Sequence, residues 1–152
     1  MHKPKPIHLV SYATLAIAFV LMVYFAWLAF WPFKGIDIYV QPYPVVTPTV
    51  VAGEQVKYEI DYCRYTDVDS HVVHQLVHGV EIIRIPATDT RLTSTSDGLR
   101  LREGCDTATK AVHIPPYIEP GEYKLVEIVS YGVNFLQTIT YTFETEPFTV
   151  VE

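Results

Sequence analysis

The chain has 152 residues, 49% of them hydrophobic and 18% charged, with a net charge of −6. Its 11 Tyr, 7 Phe and 2 Trp carry too much apolar surface for a disordered segment. The acidic balance excludes nucleic-acid binding driven by net charge, and the length suits one domain with an appended segment.

Charge is unevenly placed. All 17 acidic residues lie at or beyond Asp37, and the first 33 residues carry only Lys3 and Lys5. Residues 34–152 hold nine Lys/Arg against 17 Asp/Glu, a net −8. The run Ile7–Phe33 has no formally charged side chain, and as a helix its 27 residues would extend about 40 Å. A hydrocarbon core of about 30 Å needs about 20 residues. The expectation is therefore a short basic terminus (1–8), a transmembrane helix (9–33) crossing the lipid bilayer, and an outer domain (34–152). Tyr24, Trp27 and Trp31 crowd the C-terminal end of the span as an interfacial aromatic belt, and Lys34 follows as a snorkelling cation.

A cleaved signal peptide is the competing reading. Its apolar region is shorter and is followed by small residues at the cut. Here the run is too long, and Trp27 stands three residues before any cut after Ala29, where a small residue is required. Positive charge before the span predicts a cytoplasmic N-terminus and an extracytoplasmic domain, periplasmic or extracellular.

Beyond residue 35, short Val/Ile/Tyr/Thr-rich runs alternate with Pro, Gly, Asp and Ser, the pattern of an all-β sandwich. Ile36–Gln41 and Thr49–Val51 read as one edge strand broken by Pro42, Pro44 and Pro48. Gln55–Tyr65 alternates, with Val56, Tyr58, Ile60 and Tyr62 on one face. His71–His78 and Val80–Ile85 follow. Thr88–Ser96 reads as an exposed polar connection or edge, Asp97-Gly98 as a turn, and Leu99–Arg102 as a short run. Thr109–Ile114, a long central Tyr123–Val133, Gln137–Glu144 and Phe148–Val151 complete seven or eight strands.

The segment His113–Leu125 (HIPPYIEPGEYKL) resembles the corner before the sixth strand of immunoglobulin-like and fibronectin type III-like domains. That resemblance implies an antiparallel sandwich, with Tyr123 as the corner tyrosine that bonds back to the preceding loop. With no Trp beyond residue 33, the Cys–Trp–Cys core of antibody domains is missing. The closing stretch (YGVNFLQTITYTFETEPFTV) resembles small bacteriophage or bacterial envelope proteins built from one anchor and one outer domain. Cys63 and Cys105 are the two cysteines, and an even count outside the cytoplasm favours a disulfide. In an Ig-like sheet the strands that carry them are antiparallel neighbours. Cys63 has the parity of Lys57, Glu59 and Asp61, so the bond should be peripheral.

Three kinds of chemistry are relevant to these side chains. His71, His74 and His78 would share one face of a helix and could ligate a metal there. On a strand, His74 and His78 share a face but stand about 13 Å apart, and the surrounding Val and Leu favour a strand. Asp67 and Asp69 lack the Gly and distal Glu of a calcium loop. No Gly-x-Ser-x-Gly, His-Glu-x-x-His or Walker motif is present, so neither an enzyme, a cofactor nor a small-molecule substrate is expected. The reading is a single-pass interaction or structural module with a protein partner in an envelope, virion or membrane complex. The alternative is a periplasmic metal-handling protein using the three histidines. The exposed surfaces expected to meet a partner are the Thr88–Gly98 segment and the Pro-rich first strand.

Overall fold

The computed structural model describes residues 6–65, 69–85, 90–92 and 103–152. Its elements are helix α1 (Pro6–Ala29) and strands β1 (Ile36–Ile38), β2 (Thr49–Val51), β3 (Gln55–Arg64), β4 (Ser70–His78), β5 (Glu81–Arg84), β6 (Thr90–Leu92), β7 (Gly104–His113), β8 (Gly121–Asn134), β9 (Gln137–Glu144) and β10 (Phe148–Val151).

α1 has 24 residues, about 36 Å of helix. It stops short of the expected limit at residue 33: its last helical bond runs from the Phe30 N–H to the Ala26 carbonyl (3.0 Å). Trp31 precedes Pro32, whose ring disfavours the α conformation at the residue before it. The segment Ser11–Ala29 is long and apolar enough to cross a membrane, and none of it is buried in the protein. A helix apolar on every side and left bare has no solvent-facing side in water.

The strands form two sheets. The smaller has the order β1-β3-β7, and the larger runs β2-β10-β8-β4-β5, with β6 added to β4 and β9 to β8. β8, 14 residues long, organises the larger sheet. β10 pairs with its start at Gly121–Tyr123, and β9 pairs with Val126–Asn134. β4 pairs along it from Lys124 to Tyr131. Period-two alternation aims Val56, Tyr58, Ile60 and Tyr62 of β3, and Tyr123, Leu125, Val129 and Tyr131 of β8, into one core. Fully burying an aliphatic side chain of this kind is worth about 1.5–3 kcal/mol.

Three expectations are corrected. The Pro-rich first strand is two strands in different sheets: β1 pairs with β3, and β2 runs parallel to β10. Pro42, Pro44 and Pro48 carry no N–H and interrupt the ladder, leaving isolated bridges from Val45 to Tyr58 of β3 and from Tyr43 to Thr145 as the chain changes sheet. Tyr43, buried in this crossing, donates its N–H to the Glu144 carbonyl and accepts from the Glu146 N–H, both at 2.8 Å. This split and the three-residue β6 raise the described strands to ten, and the parallel pair departs from a wholly antiparallel sandwich. Finally, the strand expected from Thr109 begins at Gly104. Its polar residues Asp106 and Thr107 read as loop, yet they lie on an exposed strand where no apolar alternation is needed. Of the Thr88–Ser96 segment only Thr90–Leu92 is described, paired with β4; Asp67, Asp97-Gly98 and Leu99–Arg102 lie outside the described residues.

Candidate functional site

At the junction of helix and sandwich, Trp27 and Trp31 meet edge to face with centroids 4.3 Å apart, and Tyr24 stacks on Trp27 at 6.4 Å. Lys34 turns toward the domain: its ammonium pairs with Asp37 at 2.7 Å and lies 4.4 Å from the Tyr65 ring centroid. The hydrogen bond from Lys34, joined by one from the Tyr65 hydroxyl (2.9 Å), holds the Asp37 carboxyl below its ordinary range.

The β8–β9 hairpin reaches back beside the helix. Asn134 Nδ2 donates to the Leu28 carbonyl (2.9 Å), and Gln137 Nε2 donates to the Trp31 carbonyl (3.4 Å). Phe135 meets Phe25 edge to face at 6.4 Å. The last carbonyls of a helix have no intrahelical partner, and here a side chain from the sandwich takes up one of them. Gly35, where the chain leaves the helix, is held close by its neighbours. A Cβ there would come within 3.0 Å of the Phe33 ring and 3.1 Å of the Tyr131 ring.

The three histidines lie on a strand, not a helix. Alternation puts His71 on the outer face and His74 and His78 on the other. His74 is 8% exposed and stands opposite Glu127 in register. His78 Nδ1 lies 2.7 Å from the Glu122 carbonyl. Among the described residues no group of three His, Cys, Asp or Glu side chains is placed to hold a metal ion.

Cys63 and Cys105 are bonded, directly opposite each other on β3 and β7 with Cα atoms 4.0 Å apart. The bond lies on the outer face, yet Cys63 is only 2% exposed, and the Tyr39 hydroxyl donates to its sulfur at 2.8 Å. The Tyr123 hydroxyl donates to the Glu119 carbonyl four residues back, at 2.9 Å.

The sequence reading missed a polar cluster inside the sandwich. Glu127, 2% exposed, sits mid-way along the inner face of β8. The opposite sheet supplies its partners: Lys110 Nζ of β7 at 2.6 Å and the Tyr58 hydroxyl of β3 at 3.3 Å. Burial works to raise the Glu127 carboxyl, but the Lys110 charge, then His74 and the hydrogen bonds from Lys110 and Tyr58, outweigh it and leave the group below the usual carboxylate range. Burial, reinforced by the Glu127 charge, pushes the Tyr58 and Tyr43 hydroxyls well above theirs. Beside the cluster is a cavity of ≈ 30 Å³ lined by Arg64, Ser70, Lys110, Glu127 and apolar side chains, room for about one water. The signal was legible in parity, because Glu127 shares the period of Leu125 and Val129.

The outer edge of β7 is a further feature. Among the described residues no strand pairs with it. The odd-numbered backbone groups of β3 turn toward the other side: the Glu59 N–H bonds the Pro44 carbonyl, and the Asp61 carbonyl accepts from the Tyr39 N–H, both at 3.0 Å. Even-numbered β3 residues therefore bond β7, and opposite them lie the even-numbered β7 residues. This leaves the backbone groups of Cys105, Thr107, Thr109, Ala111 and His113 facing outward along an edge that no described strand covers, with the Thr107 N–H taken up by Asp106 Oδ1 at 2.8 Å.

Two facing sheets around one core, preceded by an apolar helix, define a β-sandwich behind an N-terminal apolar segment. No protein family matches the chain, and no curated protein does. Solved structures similar to it include a Niemann-Pick type C2 protein from Japanese carpenter ant, with TM-score 0.48 and 8% identity over 80% of this chain and 100% of that one. The C-terminal domain of wzt aligns with TM-score 0.46 and 16% identity over 80% of this chain and 77% of that one. A PapD-like domain of human CEP192 aligns with TM-score 0.34 and 13% identity over 80% of this chain and 99% of that one. At these scores and identities, none of the three bears on what the chain does.

Proposed function

We propose that the chain is a single-pass membrane protein, N-terminus in the cytoplasm, whose sandwich binds a protein partner outside the cytoplasm and performs no chemistry. The observation that carries this reading is α1, apolar and bare along Ser11–Ala29, with the Leu28 carbonyl of its last turn bonded by Asn134 of the folded domain. A helix end that docks on the domain behaves as a structural element, which favours a retained anchor over a discarded signal. The disulfide suits an oxidising compartment. A cavity of ≈ 30 Å³ leaves no room for a metabolite.

The partner is a protein subunit of an envelope, virion or membrane complex. It docks by strand addition on β7, whose ten residues offer outward N–H and C=O groups at alternate positions. Edges of this length are ordinarily protected, because they template pairing. The test is crosslinking and mild-detergent co-purification of the full chain and of Thr109→Pro. Thr109 faces the open side, so proline there removes an outward donor and leaves the β3 ladder intact. A stoichiometric partner held by the native chain and lost from Thr109→Pro is the expected result. A chain that purifies alone, or a partner retained by the variant, contradicts the edge as the docking site.

A further inference from the structure

We infer that the tip of the β8–β9 hairpin, Phe135 and Leu136, is a second membrane-inserted element that enters the outer leaflet beside α1. The inference rests on the anchor reading above. Hairpin and helix touch at three points: Gln137 at Trp31, Asn134 at Leu28 and Phe135 at Phe25. Asn134 and Gln137 face each other across the hairpin, and Phe135 at the tip meets the helix three residues further into the span than Asn134 does. Phe25 lies four residues inside the helix end at Ala29, about 6 Å of helix rise. If the Trp27–Trp31 pair marks the interfacial belt, the tip reaches acyl-chain depth, comparable to the ~5–10 Å burial of interfacial apolar faces.

The residue types fit that depth. Two-residue hairpin turns in water favour Asn, Gly and Asp. Here the positions hold Phe135 and Leu136, 73% and 50% exposed. No Asp, Glu, Lys or Arg occurs between Glu127 and Glu144, so no charge is carried into the lipid. Polar groups at the turn are bonded within the protein: the Leu136 N–H donates to Asn134 Oδ1 at 2.8 Å, and Asn134 Nδ2 donates to the Leu28 carbonyl. Dehydrating a turn is costly when its backbone groups lose their water without replacement; here the Leu136 N–H keeps a protein partner. The wedge and the anchor together hold the sandwich at a fixed tilt, which a lone flexible tether would not.

The test uses the full chain in vesicles of phosphatidylcholine with a minor share of phosphatidylglycerol. Both native cysteines are bonded to each other, so a fluorophore added without reductant reads only the introduced site. Polarity-sensitive probes are placed at Phe135→Cys and, to keep the ring, separately at Leu136→Cys. Met22→Cys reports the span, and Tyr117→Cys reports an exposed ring away from the helix. Expected is blue-shifted emission at both tip sites, quenched by acyl-chain-labelled lipid at least as strongly as a probe at Trp31→Cys, with Tyr117→Cys unquenched. In Phe135→Asp, the Leu136→Cys probe should shift back to its aqueous emission while Met22→Cys stays quenched. Quenching at Met22→Cys with aqueous emission at both tip sites overturns the wedge and leaves the anchor standing. Blue-shifted but unquenched tip probes place the tip against protein, such as a second copy, and also overturn it. An unquenched Met22→Cys overturns the anchor, and the wedge falls with it.

Discussion

Lys110, Glu127 and Tyr58 tie the two sheets through the core, and their behaviour follows from one carboxylate having lost its water. Because the Glu127 carboxyl lies below its ordinary range in the folded chain, its contribution to stability is present above the unfolded carboxylate value, about 4.3. It is lost as pH falls through the lower folded value. Lys110→Met removes the main stabilising charge and leaves a buried carboxylate with Tyr58 and His74 alone, so burial should then raise its pKa. The variant is expected to lose about 3 kcal/mol at pH 7, and less at pH 4, where Glu127 can take up a proton. Urea unfolding at the two pH values measures both; an equal loss at each would show that the packing of the Lys110 stem, not the charge, matters. At the corner, Tyr123→Phe deletes one hydrogen bond to the Glu119 carbonyl without changing shape, and should cost about 1 kcal/mol in the same assay.

Elements are held by fewer devices than their number suggests. The Cys63–Cys105 bond spans 42 residues of sequence and joins strands already adjacent. In the chain-entropy view, replacing both with Ala destabilises by up to about 4 kcal/mol, read as a lower urea midpoint with a steeper slope, because the uncrosslinked chain exposes more surface on unfolding. The helix end depends on the hairpin: Asn134→Ala frees the Leu28 carbonyl and the Leu136 N–H together. Loss of a cap costs about 1 kcal/mol, and amide exchange at residues 135–137 should rise while that of β3 does not. Alternation made β3, β8 and β9 readable from the sequence, because each has one face in the core. β7 was read five residues short, because Gly104–Thr107 is polar and exposed and carries no periodic signal. The Pro-rich stretch was read as one strand, because proline marks where a ladder stops, not which sheet the chain joins next.

For the whole molecule, the consequence of the anchor is physical partition. The full chain should stay with membranes through alkaline carbonate, and protease added outside should spare a fragment that includes α1. Release into the supernatant, or a mature chain that begins after Ala29, would return the apolar run to a cleaved signal. The split charge, a basic leader and a −8 domain, matches a chain whose two parts meet different surroundings.

By itself the sequence determined the N-terminal apolar helix, the all-β class and the pair of cysteines. These rest on composition and short-range periodicity, which a chain carries locally. Only the tertiary structure decided that β1 and β2 belong to different sheets, that Glu127 meets Lys110 across the core, and that no described strand pairs with the outer edge of β7. The same holds for Phe135 coming to lie against Phe25. Each of these joins residues far apart in the chain, and register between distant segments is set by packing and pairing that no local pattern encodes.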